Sequence, residues 1–175
     1  MGLIPEKLIN FRVYGGVGAA ELLGLATVEL PKFEAMTETI AGAGIAGEID
    51  SPVLGHFKSA TVKLNLRTMT AQALALLAGG VQVLDIRQSV QVQDTALGAM
   101  VTDPHRLEVR GLVKVLDPGK LEPGKMQDAN VEIEAQYLKL SNAGVPVVEL
   151  DKLNMIFRVG STDYLRQVRA DLGGV

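Results

Sequence analysis

Period-two alternation of apolar and polar residues recurs through so much of this 175-residue chain that a sheet has to dominate its fold. In TVKLNLR (61–67), Val62, Leu64 and Leu66 share a face opposite Thr61, Lys63, Asn65 and Arg67. In RLEVRGLVKVLD (106–117), Leu107, Val109, Val113 and Val115 oppose Glu108, Arg110 and Lys114, while Leu112 and Leu116 add apolar character to the second face. In NVEIEAQYLKLS (130–141), Val131, Ile133, Ala135 and Tyr137 oppose Glu132, Glu134 and Gln136, and the apolar phase then switches at Leu138 and Leu140. A switch of that kind marks a bulge, or a strand passing from one packing environment to another. KLINFRVY (7–14), LATVELPKFEAMTETI (25–40), VLDIRQSVQV (83–92) and PVVELDKLNMIFRV (146–159) are strand-like as well. The expected class is mainly β, with helix a minor component.

Turn chemistry separates these runs at Gly15-Gly16, Asp117-Pro118-Gly119 and Glu122-Pro123-Gly124, and Asn142-Ala143-Gly144 between two strand-like runs predicts a hairpin. Two segments read as helices. Thr70 to Ala78 is rich in Ala and Leu, with Thr70 as a possible cap and Gly79-Gly80 as the stop, and its near absence of charge implies cover by the sheet. Ser161 to Leu172 offers Ser161 or Thr162 as cap, Asp163 in the first turn and Gly173-Gly174 at the end. Its apolar stripe is Tyr164, Leu165, Val168 and Leu172, with Arg166 and Arg169 off the stripe and available to a partner's acids. The segment Ala41 to Ala60 reads instead as a long Gly-rich loop carrying Pro52. Five large apolar residues on it, Ile45, Ile49, Val53, Leu54 and Phe57, imply burial against a neighbouring subunit.

Composition excludes whole classes of chemistry. With no cysteine there is no disulfide, thiolate metal site, iron–sulfur cluster or cysteine nucleophile. His56 and His105 are the only imidazoles, 49 positions apart in no metal spacing, and read as surface or interface histidines. The longest uncharged stretch, 17 residues from Thr68 to Leu84, is too short and polar for a bilayer span. The N-terminus lacks the apolar run of a signal peptide and is expected to be unprocessed and cytoplasmic. A net charge of −3 and seven aromatic residues argue against a nucleic-acid binder that works by charge and stacking. The acidity is N-terminal: residues 1–58 hold 4 bases against 7 acids, and residues 59–175 hold 13 of each.

The motifs that could carry catalysis fail on context. Gly42-Ala43-Gly44-Ile45-Ala46-Gly47 is a literal G-x-G-x-x-G, but Pro52 stands where the phosphate-binding helix should run. The ribose-binding acid is missing too, since the next acid after Asp50 is Asp85. Glu132 with Glu134, and the set Glu29, Glu34 and Glu38, could pair carboxylates for acid–base work, yet no nucleophile or metal motif joins them, and solvated strand faces account for them. The expectation is a protein without catalytic residues, cofactor or metal.

The C-terminal third carries a resemblance. LEVRGLVKVLDPGKLEPGK, VEIEAQYLKLSNAG and VVELDKLNMIFRVGSTDYLRQVRADLG are similar to the major tail tube (inner tube) protein of contractile-tailed bacteriophages and R-type phage-tail-like bacteriocins. The matching features fall on Leu116-Asp117-Pro118-Gly119, Tyr137-Lys139-Leu140, Glu149-Asp151, Asn154-Met155, Val159-Gly160, Asp163, Leu165 and Leu172-Gly173. Upstream, LINFRVYGG and LPKFEAMTETIAGAG resemble the family's opening strand and the L-P-K strand that leads into its Gly-rich loop, whereas SNAG replaces a charged hairpin tip.

What the resemblance implies is one domain over residues 1–175, a β-barrel or sandwich of antiparallel strands with a short flanking helix and a C-terminal helix. It implies hexameric rings stacked into a tube inside a sheath, in a virion tail assembled in the host cytoplasm. The partners would be the sheath, the tail initiator or baseplate, the tape-measure and the terminator, and DNA would pass through without specific binding and with no membrane contact. A mean hydropathy of +0.23 without a membrane segment agrees with apolar surface reserved for ring and stack contacts. A channel that lets DNA slide should avoid phosphate-binding cations, so Glu29, Glu34 and Glu38 are first candidates for the lumen wall, with Arg166 and Arg169 for sheath contact. Two other readings share the fold: a type VI secretion-like tube, and a small-ligand-binding barrel.

Overall fold

The computed structural model describes residues 2–15 and 21–173, so Gly16 and Gly174 of the expected turns lie outside the described residues. Twelve strands and two short helices are described. The strands are β1 (Leu3–Gly15), β2 (Glu21–Leu22), β3 (Leu25–Glu29), β4 (Ala35–Ala41), β5 (Glu48–Phe57), β6 (Thr61–Leu66), β7 (Gln82–Asp94), β8 (Ala99–Asp117), β9 (Ala129–Asn142), β10 (Val145–Asp151), β11 (Ile156–Val159) and β12 (Thr162–Asp163); the helices are α1 (Ala71–Ala75) and α2 (Arg166–Asp171).

Following the antiparallel pairings from β9 to β8, β7, β1 and β2, along the chain into β3, then to β6 and back to β9, returns to the starting strand. This ring is a barrel whose circuit is completed between β2 and β3 by the chain itself, with no ladder between those two strands among the described residues, and β10, β11 and β12 extend its wall from the second half of β9. The alternating residues expected to face inward do so: Val62, Leu64, Leu107, Val109, Val131 and Ile133 are all buried in one apolar core. Ala73 and Leu76 of the α1 segment join that core from one end, so the short helix plugs the barrel. Thr70 caps it as its sequence implies, its hydroxyl accepting from the Ala73 N–H at 3.2 Å.

Strand β9 explains the phase switch. Along one edge it pairs with β8 throughout; along the other it pairs with β6 over Ala129–Glu134 and with β10 over Tyr137–Asn142. Arg110 faces Tyr137 while Gly111 faces Ala135, which leaves Gln136 as the extra residue of a bulge. The bulge turns Tyr137 away from the face of Val131, Ile133 and Ala135, where simple alternation would place it, and brings Leu138 inward. A second irregularity between Val113 and Val115 does the same in β8. Leu116 packs against the core and Val115 is exposed, the reverse of their expected order.

Other expectations change at proline and glycine. The run 25–40 is not one strand, because Pro31 lacks an amide donor and the chain leaves the barrel between Leu30 and Glu34. Residues 41–60 are not a long loop: β4 and β5 form a separate two-stranded hairpin, and only 42–47 turn at its tip, with Gly42, Gly44 and Gly47 at positive φ. Pro52 is tolerated because a two-stranded sheet consists of edges. No helix follows the glycines, so the G-x-G-x-x-G is a hairpin turn. The run 146–159 breaks at the turn 152–155. The Asn142-Ala143-Gly144 hairpin forms as expected, with Ala143 and Gly144 both at positive φ. The last helix is shorter than Ser161 to Leu172, since Thr162 and Asp163 pair with β11 and the helix opens only after Leu165.

Gly111 has a specific job at the bulge: a Cβ there would lie 2.1 Å from the Glu134 carbonyl oxygen. Gly111→Ala therefore has to push β8 and β9 apart, and urea unfolding should show a loss of about 1–3 kcal/mol. Gly24→Ala, where a Cβ meets nothing within 4 Å, should stay within about 0.5 kcal/mol of wild type.

Candidate functional site

The β4–β5 hairpin is the first candidate surface. It hydrogen-bonds to no strand of the barrel, and Ile49, Val53 and Leu54 are about half exposed, with Ile45 at its tip less so. Of the five residues expected to make subunit contacts, Phe57 is instead half-buried at the root. Its ring meets Phe33 edge-on at 6.0 Å and Phe157 at 4.9 Å, and Phe157 in turn packs on Tyr164 at 5.5 Å. Beside it, Gly55 lets the backbone reach Leu165, since a Cβ there would come within 2.6 Å of that side chain. The root is also fastened by polar contacts: the Lys58 N–H donates to the Glu34 carbonyl at 2.8 Å, and the Lys58 ammonium pairs with the Glu34 carboxylate at 2.6 Å.

The three acids considered for a lumen wall do not share a face. Glu29 ends β3 and Glu34 lies in the following connection, and the two border one cleft of about 360 Å³ with Lys32, Lys63 and Glu132. Glu38 sits on the hairpin opposite Ser51. The Glu132 and Glu134 pair is likewise divided. Glu132 pairs with Lys63 at 3.7 Å, whereas Glu134 accepts from the Ser59 hydroxyl and the Ala60 N–H and pairs with Lys152 at 3.5 Å. Burial pushes the Glu134 carboxyl up, but these donors outweigh it and hold the group below its ordinary value. His56 is exposed, and His105 lies 3.0 Å from Asp103. No group of three or more potential metal ligands forms among the described residues.

The two arginines considered for partner contact differ. Arg169 is spent inside the chain: its guanidinium pairs with Asp163 at 2.6 Å and donates to the Met155 carbonyl at 2.6 Å, which holds the Asp163 carboxyl below its ordinary value. Arg166 is exposed, with no ion pair among the described residues.

Two features are not legible strand by strand. The outer edge of β1 from Leu3 to Arg12 carries no partner strand among the described residues, and Leu3, Ile4, Leu8 and Ile9 on it are about half exposed. Pro5 and two register shifts blunt this edge against indiscriminate pairing. The second feature is a row across seven strands, in which Tyr14, Asp85, Glu108, Lys139, Glu149, Arg158 and Asp163 stand opposite one another in turn. Second in this row, Asp85 is almost fully buried on the outer face, between Arg106 at 2.7 Å and Arg87 at 2.7 Å. Arg87 lies over the Tyr14 ring at 4.9 Å and Arg110 over the Tyr137 ring at 4.9 Å. The Tyr137 hydroxyl donates to Glu149 at 3.1 Å, and burial with that acceptor pushes its pKa up to about 12. Burial alone would raise the Asp85 carboxyl, but hydrogen bonds from Arg106 and Arg87 hold it below the ordinary aspartate value. Nothing in the row is arranged as nucleophile, base and orienting group; Arg106 bridges Asp85 and Glu108, at 2.7 and 2.9 Å, and Arg158 pairs with Glu149 at 2.8 Å.

The family model for phage tail tube protein FII matches residues 5–173, and the chain belongs to that family. It is 27% identical over 173 residues to the tail tube protein of Escherichia phage P2, covering 97% of this chain and 98% of that one. It is 26% identical over 182 residues to the major tail tube protein of Serratia phage KSP20, covering 97% of each. Its fold matches, with a TM-score of 0.56 at 12% identity, a chain in the cryo-EM structure of an extracellular contractile injection system, the PVC sheath/tube terminator in the extended state; the match covers 78% of this chain and 96% of that one. The chain is thus a phage tail tube protein, a structural component of the virion tail and not an enzyme.

Because the native Asp85 carboxyl resists protonation, its contribution to stability is present above the unfolded-state pKa of about 3.9 and is lost as pH falls through the lower native value. Asp85→Asn leaves two half-exposed arginines without their shared anion and should cost about 1–3 kcal/mol at pH 7. In urea unfolding across pH, the gap between variant and wild type should narrow below pH about 4.

Proposed function

We propose that this protein is the inner-tube subunit of a contractile tail, in which copies close into hexameric rings and the rings stack into a hollow tube inside a sheath. The observation that carries the reading is the β4–β5 hairpin. Two strands joined only to each other are marginal in water, and this pair exposes Ile49, Val53 and Leu54 while fixing its root firmly to the barrel. An apolar, uncovered hairpin fastened at its root gains its missing contacts from a neighbouring copy. The open edge of β1 offers a second surface of the same kind. The likeness to a contractile injection system chain supports the contractile architecture.

In this reading DNA passes along the channel without specific contacts. Phosphate contacts by lysine or arginine would add affinity and friction. Glu29, Glu34 and Glu132, which offset Lys32 and Lys63 at one cleft, and Glu38 on the hairpin are proposed to keep the nearby wall from attracting phosphates. Exposed Arg166 on α2 is proposed to meet the sheath, while Arg169 serves to hold α2 in place. Initiator or baseplate, tape-measure and terminator proteins would set where the tube begins, how long it grows and where it stops, during assembly in the host cytoplasm.

Negative-stain microscopy and solution mass of the purified protein over a concentration series test this. Rings of six or stacked tubes are the expected result, and a strictly monomeric particle together with a ligand-dependent rise in melting temperature would favour a ligand-binding barrel instead. The double substitution Ile49→Asp with Leu54→Asp should abolish assembly at any concentration tested and leave the urea midpoint of the monomer nearly unchanged, because both side chains are exposed in the single chain.

A further inference from the structure

Leu165 is only 4% exposed, yet it lies outside the apolar core of the barrel. The backbone of β5 lies against it: Gly55 stands at φ +68°, where a Cβ would come within 2.6 Å of the Leu165 side chain. Two positions on, the Phe57 ring packs on Phe157 at 4.9 Å. The hairpin shares no ladder with the barrel among the described residues, and it rests on residues of the C-terminal segment 157–165.

Leu165 is held in turn by α2. The Asp163 carboxylate accepts from the Leu165 N–H at 3.1 Å and pairs with the Arg169 guanidinium at 2.6 Å, and the Arg169 N–H donates to the Leu165 carbonyl at 3.0 Å. The Tyr164 N–H donates to the Phe157 carbonyl at 2.8 Å. The Arg169–Asp163 pair is largely shielded from water, with side chains 22% and 11% exposed. The Lys58–Glu34 pair at the hairpin root is 53% and 61% exposed, and an ion pair so open to solvent contributes little. Glu134 and Lys152 fix a different point. They bind Ser59, Ala60 and the Lys58 carbonyl, and so set where the chain re-enters the barrel. The angle of the hairpin about that point depends on what its strands lie on.

We propose that the C-terminal segment aims the hairpin. Arg169, acting through Asp163 and Leu165, sets the angle at which β4 and β5 leave the barrel, so that α2 and the exposed face of the hairpin are coupled. Arg169 is a positioning residue: its own side-chain contacts, to Asp163 and the Met155 carbonyl, lie off the hairpin. Coupling of this kind is reciprocal, so whatever holds α2 favours the aimed hairpin, and whatever seats on the hairpin favours the docked α2. The use of the coupling rests on the tube reading above, in which a sheath contact at Arg166 and a neighbouring copy on the hairpin reinforce each other. The coupling itself lies within one chain.

The natural absence of cysteine allows it to be measured on dilute single chains, where the tube reading plays no part. Nitroxide labels on Glu38→Cys in β4 and Lys114→Cys in β8 report the hairpin against the barrel by pulsed electron spin resonance. Labels on Gln93→Cys and Lys114→Cys report the barrel alone. The hairpin pair should give one narrow distance peak in the otherwise unchanged chain and in Arg166→Gln, and a broad one in Arg169→Gln and in Leu165→Ala, while the barrel pair stays narrow throughout. Gly55→Ala, which displaces Leu165, should broaden the distance between Ala170→Cys on α2 and Lys114→Cys. A hairpin pair as narrow in Arg169→Gln and Leu165→Ala as in the parent would overturn the proposal. So would a hairpin pair already broad in the parent, a barrel pair that broadens with it in Arg169→Gln, or an α2 distance indifferent to Gly55→Ala. Failure of the purified protein to form rings or tubes would remove the tube reading and leave these distances to decide the coupling.

Discussion

Everything in this molecule depends on β9 satisfying three strands with two edges. β8 takes one edge for its whole length, and the other is handed from β6 to β10 at Gln136. Without the handover the ring could not close through β6 and also carry the β10–β12 extension. Two backbone hydrogen bonds seal the junction: the Ala135 N–H donates to the Ala60 carbonyl at 2.8 Å, and the Lys152 N–H donates to the Gln136 carbonyl at 3.0 Å. Gly111 permits the close approach that the bulge requires, and Glu134 gathers Ser59, Ala60 and Lys152 around the same spot. The root of the β4–β5 hairpin, the barrel wall and its extension are therefore fixed relative to one another by a few residues.

How much of this is written along the chain follows from the range of each interaction. The inward faces of β6 and the first part of β8 are legible because alternation against one core is a local pattern. The switch within β9 is legible as a switch, since Leu138 and Leu140 break phase, and Thr70 announces its helix because a cap is a contact over three residues. The hairpin of residues 35–57 is harder to read. Its glycines and Pro52 carry the marks of a loop, and a two-stranded sheet uncovered on both faces imposes no alternation that one copy can display. The late start of α2 is hidden because Ser161, Thr162 and Asp163 suit a helix N-terminus, while a two-residue pairing with β11 claims Thr162 and Asp163 first.

The candidate surfaces divide in the same way. Ile45, Ile49, Val53 and Leu54 stand out in the sequence because apolar residues among glycines need cover, and Phe57 misleads because its cover lies in Phe33 and Phe157, 24 and 100 positions away. Arg166 and Arg169 look alike on a helical wheel, but only Arg169 can reach both Asp163 and the Met155 carbonyl. The row from Tyr14 to Asp163 and the open edge of β1 depend on register across several strands, which no single strand records.

The barrel buries its own apolar face, whereas the hairpin and the β1 edge leave theirs uncovered, and the proposed tube assigns that cover to other copies. Amide hydrogen exchange resolved by residue, on dilute protein and on protein concentrated enough to assemble, separates these two groups most directly. The account predicts strong protection of β6, β8 and β9 under both conditions, with protection of β4 and β5 appearing only on assembly. Hairpin amides already as protected as the barrel in the dilute single chain, or unchanged when particles form, would contradict it.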